Sequence, residues 1–475
     1  MMEGEATMRS RDAQRQPNIP KGNCQREEAV NPQGTGGVPS ALPAQEAKQP
    51  REETYDLMEK VVERGNMTEA YKRVMANKGA AGIDGMGLES LRPYLKEEWS
   101  RIKQELLEGT YRPQPVRRVE IPKPQGGTRK LGIPTVVDRL IQQALNQILM
   151  PIFDPDFSTN SYGFRPGKSA HQAVKKAKEY IADGYRWVVD MDLAQFFDRV
   201  NHDILMARVA RKVKDKRILK LIREYLKAGV MLNGIRVKSE EGTPQGGPLS
   251  PLLANIILDD LDKALESRGH RFCRYADDCN VYVRSRRAGQ RVMEGMAKFL
   301  EGRLKLQVNW EKSAVDRPWN RKFLGFSFTW HKAAKIRLAP QTVKRVKEKI
   351  RQFTGRNRSI AMEDRLVTLN QYLKGWMGYF RLIDTPSVLK ELDEWLRRRL
   401  RMCLLKQWKR PKTRRRNLVA LGIPEEWACN ISGSRKGYWR LSLTPQMNKA
   451  LGLAYWREQG LVSLVETYQS HRQPA

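Results

Sequence analysis

Tyr275-Ala276-Asp277-Asp278 is the stretch of sequence that decides the fold of this chain. It lies between two strand-like runs, residues 271–274 and 279–283, and so predicts the tip of an antiparallel hairpin. Two adjacent carboxylates raise each other's pKa, because each negative charge disfavours the other. Divalent metal ions would remove that cost. An ordinary acidic turn is the alternative, since Asp is a favoured turn residue.

A third carboxylate is expected at the end of another apolar strand. The run Trp187-Val188-Val189-Asp190-Met191-Asp192 reads as a strand followed by a helix-like segment. Strand alternation places Asp190 and Asp192 on the same face, so periodicity cannot choose between them. If this strand end meets the hairpin, three carboxylates would form a cage of hard oxygen ligands suited to Mg²⁺. Surface or capping roles are the alternative.

The net charge indicates a polyanionic partner. Lys and Arg number 87 against 53 Asp and Glu, which gives +34 over 475 residues. Such an imbalance costs self-repulsion in the folded protein, and nucleic acid commonly offsets it. A merely soluble basic surface is the alternative. No membrane partner is expected, because the sequence has neither a long apolar run nor a basic amphipathic anchor beside a lipidation motif.

Composition separates the chain into three regions. Residues 1–52 hold seven basic and seven acidic residues with little apolar periodicity, and predict a disordered tail. Residues 53–340 alternate helical and strand patterns, with strands predicted at 117–121, 186–191, 271–275, 279–283, 307–309 and 323–329, which is typical of a mixed helix and sheet body. Residues 341–475 carry 28 basic and 11 acidic residues and six of the eleven tryptophans. The five cysteines are not spaced as zinc ligands are, and none forms a CxxC pair, so reduced thiols in the cytoplasm are expected.

A basic helix is predicted over residues 392–408, followed by a basic block at 412–416. Apolar side chains recur at helical spacing, and Lys and Arg fill most of the other positions. A solvated charged face is the default interpretation, but the neighbouring aromatics favour nucleic-acid contact. The predicted contacts are Arg397, Arg398, Arg401, Lys409, Arg410, Arg414, Arg415 and Arg416.

Further motifs follow one another in a recognisable order. They are Gly82-Ile83-Asp84-Gly85; Ile121-Pro122-Lys123-Pro124 with Arg129 and Leu131-Gly132-Ile133-Pro134; Ser161-Tyr162-Gly163-Phe164-Arg165-Pro166; Gly242-Thr243-Pro244-Gln245-Gly246-Gly247-Pro248-Leu249-Ser250-Pro251; and Phe323-Leu324-Gly325-Phe326. With this series, the chain resembles bacterial group II intron reverse transcriptases, the intron-encoded maturase proteins. The resemblance runs from about residue 55 to 420.

The resemblance implies an α+β right-hand polymerase fold. Fingers and an antiparallel palm sheet would occupy 53–340, and a helical thumb, called domain X in this family, would occupy 341–420. Asp192 followed by Phe197-Asp198 matches the family's first metal-binding motif, which favours Asp192 over Asp190, and the hairpin matches the second. Asp192, Asp277 and Asp278 would then be catalytic and bind a pair of Mg²⁺ ions, which activate a primer 3′-hydroxyl and stabilise the leaving pyrophosphate.

Five residues are expected to contact the incoming nucleotide or the template. Lys123 and Arg129 lie in a hairpin that could hold the triphosphate, and Arg165 is a candidate template or nucleotide contact; ordinary surface charges are the alternative. Gln245 precedes two glycines that allow close backbone approach. Phe197 would clash with a 2′-hydroxyl and so favour deoxynucleotides, unless it is a core aromatic.

Beyond residue 420 the resemblance is vague. Residues 421–475 are interpreted as a basic C-terminal segment that could bind DNA. Many family members end in an HNH endonuclease with paired cysteines and clustered histidines. Here the five histidines are scattered and Cys429 alone lies beyond residue 403, so no endonuclease is expected.

The sequence thus predicts an RNA-directed DNA polymerase of a mobile element. It would bind group II intron RNA, assist RNA splicing and copy the intron at a DNA target during retrohoming, using deoxynucleoside triphosphates and a primer strand near the bacterial nucleoid. The alternatives are another bacterial reverse transcriptase (retron, diversity-generating or CRISPR-linked), a splicing cofactor without polymerase activity, and an RNA-templated RNA polymerase. The basic domain X-like region counts against another kind of bacterial reverse transcriptase. The carboxylate triad counts against a splicing cofactor without polymerase activity, and Phe197 counts against an RNA polymerase. The sequence does not determine the oligomeric state.

Overall fold

A computed structural model of the chain describes residues 55–472, apart from 123–127, 233–234, 238–241 and 243–245. These residues belong to one compact unit, Pro50–Ala475. The predicted tail at 1–52 and the predicted contacts Lys123 and Gln245 lie outside the described residues.

The first part of the fold is a helical layer joined to a small sheet. Its elements are α1 (Leu57–Val62), α2 (Arg64–Ala76), α3 (Leu88–Glu108), β1 (Val116–Pro122), β2 (Thr128–Ile133) and α4 (Val136–Phe153). Two strands from later in the chain, β4 (Val230–Leu232) and β5 (Ile235–Val237), complete the sheet in the order β2-β1-β4-β5. The Thr135 side chain caps α4 by accepting from the Asp138 amide, which fixes the point where β2 gives way to the helix.

The second part is the four-stranded palm sheet, with order β6-β7-β3-β8 and all neighbours antiparallel. Its strands are β3 (Trp187–Met191), β6 (Arg271–Tyr275), β7 (Asp278–Val283) and β8 (Ala314–Asp316). The helices α5 (Ala170–Ala182), α6 (His202–Val209), α7 (Lys216–Lys227), α8 (Ser250–Ser267) and α9 (Arg286–Phe299) surround it. The predicted strands around the acidic hairpin and before Asp192 are therefore confirmed.

Alternation along β3 divides the hydrophobic interior. Val189 belongs to a core shared with the fingers helices, whereas Val188, on the opposite face, belongs to a core shared with the thumb. Successive side chains of a strand point to opposite faces, so one strand can tie both cores to the palm sheet. This places the palm between the fingers and the thumb.

A short hairpin leads from the palm to the thumb. It pairs β9 (Phe326–Phe328) with β10 (Ile336–Leu338), so the strand predicted over 323–329 is shorter than expected. The preceding turn bends at Leu324, whose φ is +52°, and at Gly325. The strand predicted at 307–309 is wrong: Val308 makes only an isolated bridge with Leu193.

The thumb is helical, as expected, and continues to the end of the described chain. Its helices are α10 (Pro340–Phe353), α11 (Met362–Phe380), α12 (Ser387–Gln407), α13 (Pro411–Ala420), α14 (Glu425–Ser432), α15 (Tyr438–Leu441), α16 (Pro445–Ala450), α17 (Leu453–Glu458) and α18 (Leu464–Ser470). The mixed helical and sheet composition agrees with the α+β fold class predicted from the sequence.

The interpretation of 421–475 as a separate basic segment needs correction. Trp456 and Leu464 are buried in the same core as Leu396 and Leu400 of α12. Asp393 of α12 accepts hydrogen bonds from the amides of Leu464 and Val465. The segment has six Lys or Arg against four Asp or Glu, so it is nearly neutral. The segment is packed into the thumb, and its suggested binding of DNA stays a prediction.

Candidate active site

The palm sheet brings the three predicted carboxylates to one edge. Tyr275 pairs with Asp278 across the hairpin, which leaves Ala276 and Asp277 as a two-residue turn. Met191 pairs with Cys279, so Asp192 emerges from β3 beside Asp278 at the start of β7. Ala276 adopts a φ of +57°, a conformation that non-glycine residues rarely take. The surrounding structure must therefore hold this turn in place.

The electrostatics of this edge show that the carboxylates act on one another. Asp278 is exposed at the surface of the edge, but packed protein atoms around its carboxyl reduce the hydration of the charged form. This partial burial comes first in raising its pKa to about 7, and the nearby charges of Asp277, Asp190 and Asp192 come next. The pKa of Asp190 is also raised, mainly by burial. A negatively charged cluster of this kind favours the binding of cations or protons.

Asp190 and Asp192 differ in their partners. Asp190 is held by Arg321, whose Nε donates to its carboxylate at 2.8 Å and whose Nη2 lies 2.7 Å away. Asp192 has a longer ion pair, 3.8 Å from Lys312 Nζ, and its amide donates to Ser313 Oγ at 3.0 Å. Because Asp190 is already neutralised inside the protein, Asp192 is the better candidate for a metal ligand. Strand periodicity could not choose between Asp190 and Asp192, and the packing of Arg321 against Asp190 favours Asp192.

The carboxylates do not enclose a ready-made ion cage. Within the described part of the chain, no three His, Cys, Asp or Glu side chains converge as a metal site. The predicted three-carboxylate cage is therefore not preformed. Mg²⁺ usually takes one or two carboxylates and completes its shell with water and substrate phosphate. Asp192, Asp277 and Asp278 are the carboxylates at this edge that could provide oxygen ligands to such an ion.

Protonation of Asp278 predicts an unusual pH dependence of stability. Its folded-state pKa is about 7, against an ordinary value of 3.8 in the unfolded chain, so the folded state binds more protons between these values. The free energy of unfolding of the metal-free protein should therefore fall as pH rises from about 4 to about 7. Asp278→Asn should reduce this slope in urea unfolding, and the remainder should come mainly from Asp138, whose pKa is raised by burial to about 6. Asp183→Asn, on the exposed surface, should keep the whole slope. An equal slope in Asp278→Asn would contradict the assignment.

A buried polar network lies directly beneath the hairpin, and sequence reasoning missed it. Arg274 donates to Asp262 through Nε at 2.7 Å and Nη2 at 2.5 Å. Arg274 Nη1 also donates to the carbonyl of Ala276 at 2.9 Å and to Asn255 Oδ1 at 3.0 Å. All three polar side chains are fully buried. The network therefore ties the turn that carries Asp277 to the palm helix α8.

The sequence does contain a signal for this network. Asn255 and Asp262 are seven residues apart in α8, so they lie on the same face of a helix that is otherwise strongly apolar there. Polar groups on a buried helical face require partners, because an unpaired buried group is costly. Arg274, in an apolar strand next to the acidic turn, is the complementary donor.

Gly163 is a second support of the hairpin. Its carbonyl accepts from Asn255 Nδ2 at 2.9 Å, and a Cβ at this position would lie 2.3 Å from the Ala276 backbone nitrogen. Neither backbone can move without displacing the turn that carries Asp277. The glycine of the predicted 161–166 motif is thus explained by close approach of two backbones.

Gly163→Ala is expected to lower DNA synthesis by roughly 10²-fold, because a displacement of about 1 Å at reacting groups can cost that much. The global fold should persist, since the clash is confined to one turn. Gly375→Ala is the matched control, because nothing lies within 4 Å of its added Cβ. Primer-extension rates and melting temperatures of both variants check this. Full activity of Gly163→Ala would show that the turn tolerates displacement.

A cavity of about 590 Å³ opens beside the hairpin, and both Asp277 and Phe197 line it. The chain reaches this position through Gln195, with a φ of +51°, and a short 3-10 turn, Phe196–Asp198. Phe196 is buried in the core, whereas Phe197 is half-buried and meets it edge-on at 5.0 Å between ring centroids. Of the two adjacent aromatics, Phe197 is therefore the one that faces the cavity.

The glycine pair at 246–247 closes another wall of this cavity. Gly246 has a φ of +133°, and a Cβ there would lie 2.5 Å from the carbonyl oxygen of Gly132 in β2. A Cβ on Gly247 would lie 2.2 Å from Gln142 Oε1. Both glycines therefore lie against the fingers sheet and α4, and the close approach of this loop to a nucleotide or template stays a prediction.

The basic side chains that line the cavity include two that sequence reasoning missed. Arg73 of α2 and Arg139 of α4 both reach its wall. Arg139 Nη2 donates to the carbonyl of Ala80 at 2.6 Å, which fixes its position. No motif marks these residues, because their helices come together only in the folded protein. The side chain of Arg129, in β2, is not among those described.

The Arg165 side chain points into the protein, which disagrees with its predicted contact with the template or nucleotide. Its Nε donates to Asp154 at 2.6 Å, and its other nitrogens donate to the carbonyls of Ser158, Ser161 and Asp154. The side chain is only 6% exposed. These bonds favour a role in shaping the loop that presents Phe164, whose ring lies 6.2 Å from that of Tyr275.

The predicted nucleic-acid residues of the thumb divide into two groups. Arg401 and Arg414 are buried and donate to backbone carbonyls, Arg401 to Ser442 and Leu451, and Arg414 to Trp408, Lys409 and Ser432. Arg398 stacks 3.8 Å above the Trp439 ring. The prediction that Arg401 and Arg414 face nucleic acid is therefore corrected: Arg401 ties Ser442 and Leu451 to α12, and Arg414 ties Ser432 of α14 to α13. The half-buried Arg398 packs on α15. The exposed members are Lys409, Arg410, Arg415 and Arg416, with Arg415 paired to Glu425, and Arg397 is half-buried.

The architecture and the acidic palm hairpin define the class of protein, a right-hand polymerase. Residues 121–328 match the sequence profile of the family described as reverse transcriptase (RNA-dependent DNA polymerase). Residues 343–422 match the profile described as group II intron, maturase-specific domain. No helix in the described part of the chain is long and apolar enough to cross a membrane.

Several individual proteins are similar to this chain. Protein YkfC of Escherichia coli is 35% identical over 311 residues, 57% of this chain and 81% of YkfC. The group II intron-encoded protein LtrA of Lactococcus lactis is 44% identical over 195 residues, 41% of this chain and 32% of LtrA. A chain of the solved structure described as a partial Cas6-RT-Cas1–Cas2 complex aligns with 52% of this chain. The alignment covers 42% of that other chain, at 23% identity and with a TM-score of 0.34. The chain belongs to the group II intron-encoded reverse transcriptases and maturases.

Proposed function

We propose that this protein is an RNA-directed DNA polymerase that binds group II intron RNA, assists its splicing and copies it into DNA. The observation that carries the proposal is that Asp277 and Phe197 line one cavity, at the palm edge where Asp192 and Asp278 also lie. A polymerase needs such a cavity next to its carboxylates. The match of residues 343–422 to a maturase-specific domain supports the role in splicing.

Three groups of residues would have separate roles in the reaction. Asp192, Asp277 and Asp278 would hold Mg²⁺, which when bound neutralises phosphate charge and promotes attack by a primer 3′-hydroxyl. Arg73 and Arg139 place guanidinium groups at the cavity wall, where a triphosphate would need cationic partners. The Arg274 network keeps the hairpin fixed, so that little reorganisation is needed during phosphoryl transfer.

The test is primer extension with the full chain. A DNA primer annealed to an RNA template, with Mg²⁺ and deoxynucleoside triphosphates, should give full-length complementary DNA. Binding of the same primed template is measured in parallel by filter retention. Absence of DNA product with retained RNA binding would instead favour a splicing cofactor without polymerase activity.

Phe197→Ala is expected to relax the choice of sugar. The ring would no longer occlude the space for a 2′-hydroxyl, and discrimination against ribonucleotides should fall by roughly 10–100-fold, the usual range for a small steric difference in a pocket. The ratio of kcat/KM for dCTP and CTP measures this. Phe164→Ala, at the rim of the same cavity, is the control and should keep the wild-type ratio. An unchanged ratio in Phe197→Ala would mean that the ring serves packing alone.

A further inference from the structure

The end of the palm sheet opposite the hairpin carries a second cluster of charge. A cavity of about 370 Å³ lies where β6 begins and β7 ends. Four arginines line it together with His270 and Tyr185, and no acidic residue does: Arg268, Arg271, Arg284 and Arg291. Strand β6 runs from Arg271 here to Tyr275 at the hairpin, a distance of about 13 Å at roughly 3.3 Å per residue. This cavity is therefore distinct from the candidate active site.

These arginines are exposed, and among the described residues none of the four has a carboxylate within ion-pair distance. The guanidinium of Arg284 lies 5.0 Å from the centre of the Tyr185 ring. Hydrogen bonds from Arg271 and then Arg284 lower the pKa of the Tyr185 hydroxyl. The Tyr185 ring therefore packs beside Arg284 and carries no charge that would neutralise it. A group of like charges held together in this way is suited to an anion.

A second basic cavity, of about 740 Å³, adjoins the first and shares Arg268 with it. It adds Arg208, Arg211, Lys263, Lys298 and Arg303. Asp260 is the one acidic residue among those that line either cavity, and it pairs with Arg208 at 2.9 Å and Arg211 at 3.2 Å. Lys263 is paired with Asp259, which lies outside both linings. The two cavities together thus present nine Lys or Arg, of which the six others have no ion pair among the described residues. We call this surface, defined by those nine residues, the palm basic track.

The shape of the track favours an extended polyanion. A nucleic-acid strand supplies a phosphate about every 3.4 Å of helix axis and can follow a row of cations, whereas a single small anion would occupy one cavity. None of the exposed large apolar side chains of the described chain lines either cavity. A membrane-binding face would need such groups to insert beside the headgroups. The chemistry therefore matches nucleic-acid phosphates rather than a lipid surface.

We propose that the palm basic track binds the phosphate backbone of structured RNA that lies outside the catalytic cleft. The inference rests on the proposed function, because a polymerase that copies a folded RNA must hold parts of it that are not being copied. The track faces away from the hairpin, so RNA bound there would not compete with primer and template. It would add affinity without reading sequence, since phosphate contacts are sequence-independent.

The test loads the full chain with a saturating DNA-primed RNA template and then titrates a fluorescent RNA hairpin over a range of KCl concentrations. Arg271→Gln with Arg284→Gln should weaken binding of the hairpin by at least about tenfold, and should reduce the slope of log Kd against log salt by roughly 1.5–2, for two phosphate contacts. Arg268→Gln with Arg291→Gln should behave alike. Primer extension should stay at the wild-type rate in both, which separates failure of this inference from failure of the proposed function.

The matched control is Arg286→Gln with Arg287→Gln, which removes the same charge from exposed positions of α9 that line neither cavity. An equal loss in the control would mean diffuse attraction and would overturn the site. Unchanged hairpin affinity in the Arg271 and Arg284 variant would overturn it as well. Displacement of the hairpin RNA by anionic phospholipid vesicles, but not by unlabelled RNA, would assign the track to a membrane instead.

Discussion

Asp277→Ala should reduce DNA synthesis by at least about 10³-fold and leave the affinity for RNA within about twofold of wild type. A loss of this size in rate is typical when a group that stabilises developing charge is removed. Asp277 lies on the two-residue turn of the palm hairpin and lines the cavity that Phe197 also lines. Its removal takes away an oxygen ligand at the point where phosphate charge must be neutralised. RNA affinity comes mostly from Lys and Arg contacts with phosphate, which this change does not touch.

Single-turnover primer extension and equilibrium binding of the same primed RNA template measure the two quantities separately. Asp183→Asn provides a control, because Asp183 is an exposed palm residue at the end of α5. Loss of synthesis and binding together in Asp277→Ala would mean that the carboxylate is structural. Raising the Mg²⁺ concentration should not rescue the variant, since the ligand itself is missing.

Arg274→Met should be the most destabilising single change near the site. Arg274 and Asp262 are fully buried, so removal of the guanidinium leaves a carboxylate without its partner in the core. Breaking a buried ion pair in this way costs about 3–5 kcal/mol of the free energy of unfolding. Arg223→Met, which breaks the exposed pair with Asp203, is the comparison and should cost no more than about 1 kcal/mol. Urea unfolding of both variants measures the difference.

The double variant Arg274→Met with Asp262→Leu separates stability from positioning. Replacement of a whole buried ion pair by apolar groups is often nearly neutral, so most of the lost stability should return. Arg274 also donates to the Ala276 carbonyl, and that hydrogen bond is not restored. DNA synthesis should therefore remain at least about tenfold below wild type, since misplaced catalytic groups lose rate even in a stable fold. Recovery of both properties would show that the network serves stability alone.

Much of the fold follows from local pattern. The alternation around the acidic turn and before Asp192 predicts β3, β6 and β7, and the apolar spacing after residue 390 predicts α12. These elements bury one face each, so the period of the sequence specifies them. The short run at 307–309 has the alternation of a strand, but it makes a single bridge to Leu193, where the chain has already left β3.

The basic residues show where local pattern stops. Periodicity marks Arg401 and Arg414 as members of charged helices, but both are buried against carbonyls from residues later in the chain, such as Ser442 and Ser432. An arginine side chain is long enough for its guanidinium group to donate hydrogen bonds either to solvent or to a buried carbonyl. Which of the two it reaches depends on segments that are distant in sequence. Spacing alone could not separate the anchors from the exposed Lys409 and Arg416.

By itself, the sequence determined the acidic hairpin, the nearby third carboxylate and the basic helical thumb, because each depends on residues close together in the chain. Only the tertiary structure decided that Asp190 is neutralised by Arg321, which is 131 residues away, and so favoured Asp192 as the ligand. It likewise revealed the Arg274 network and the palm basic track. These features depend on side chains that meet through packing of separate elements, and no periodicity along the chain encodes such meetings.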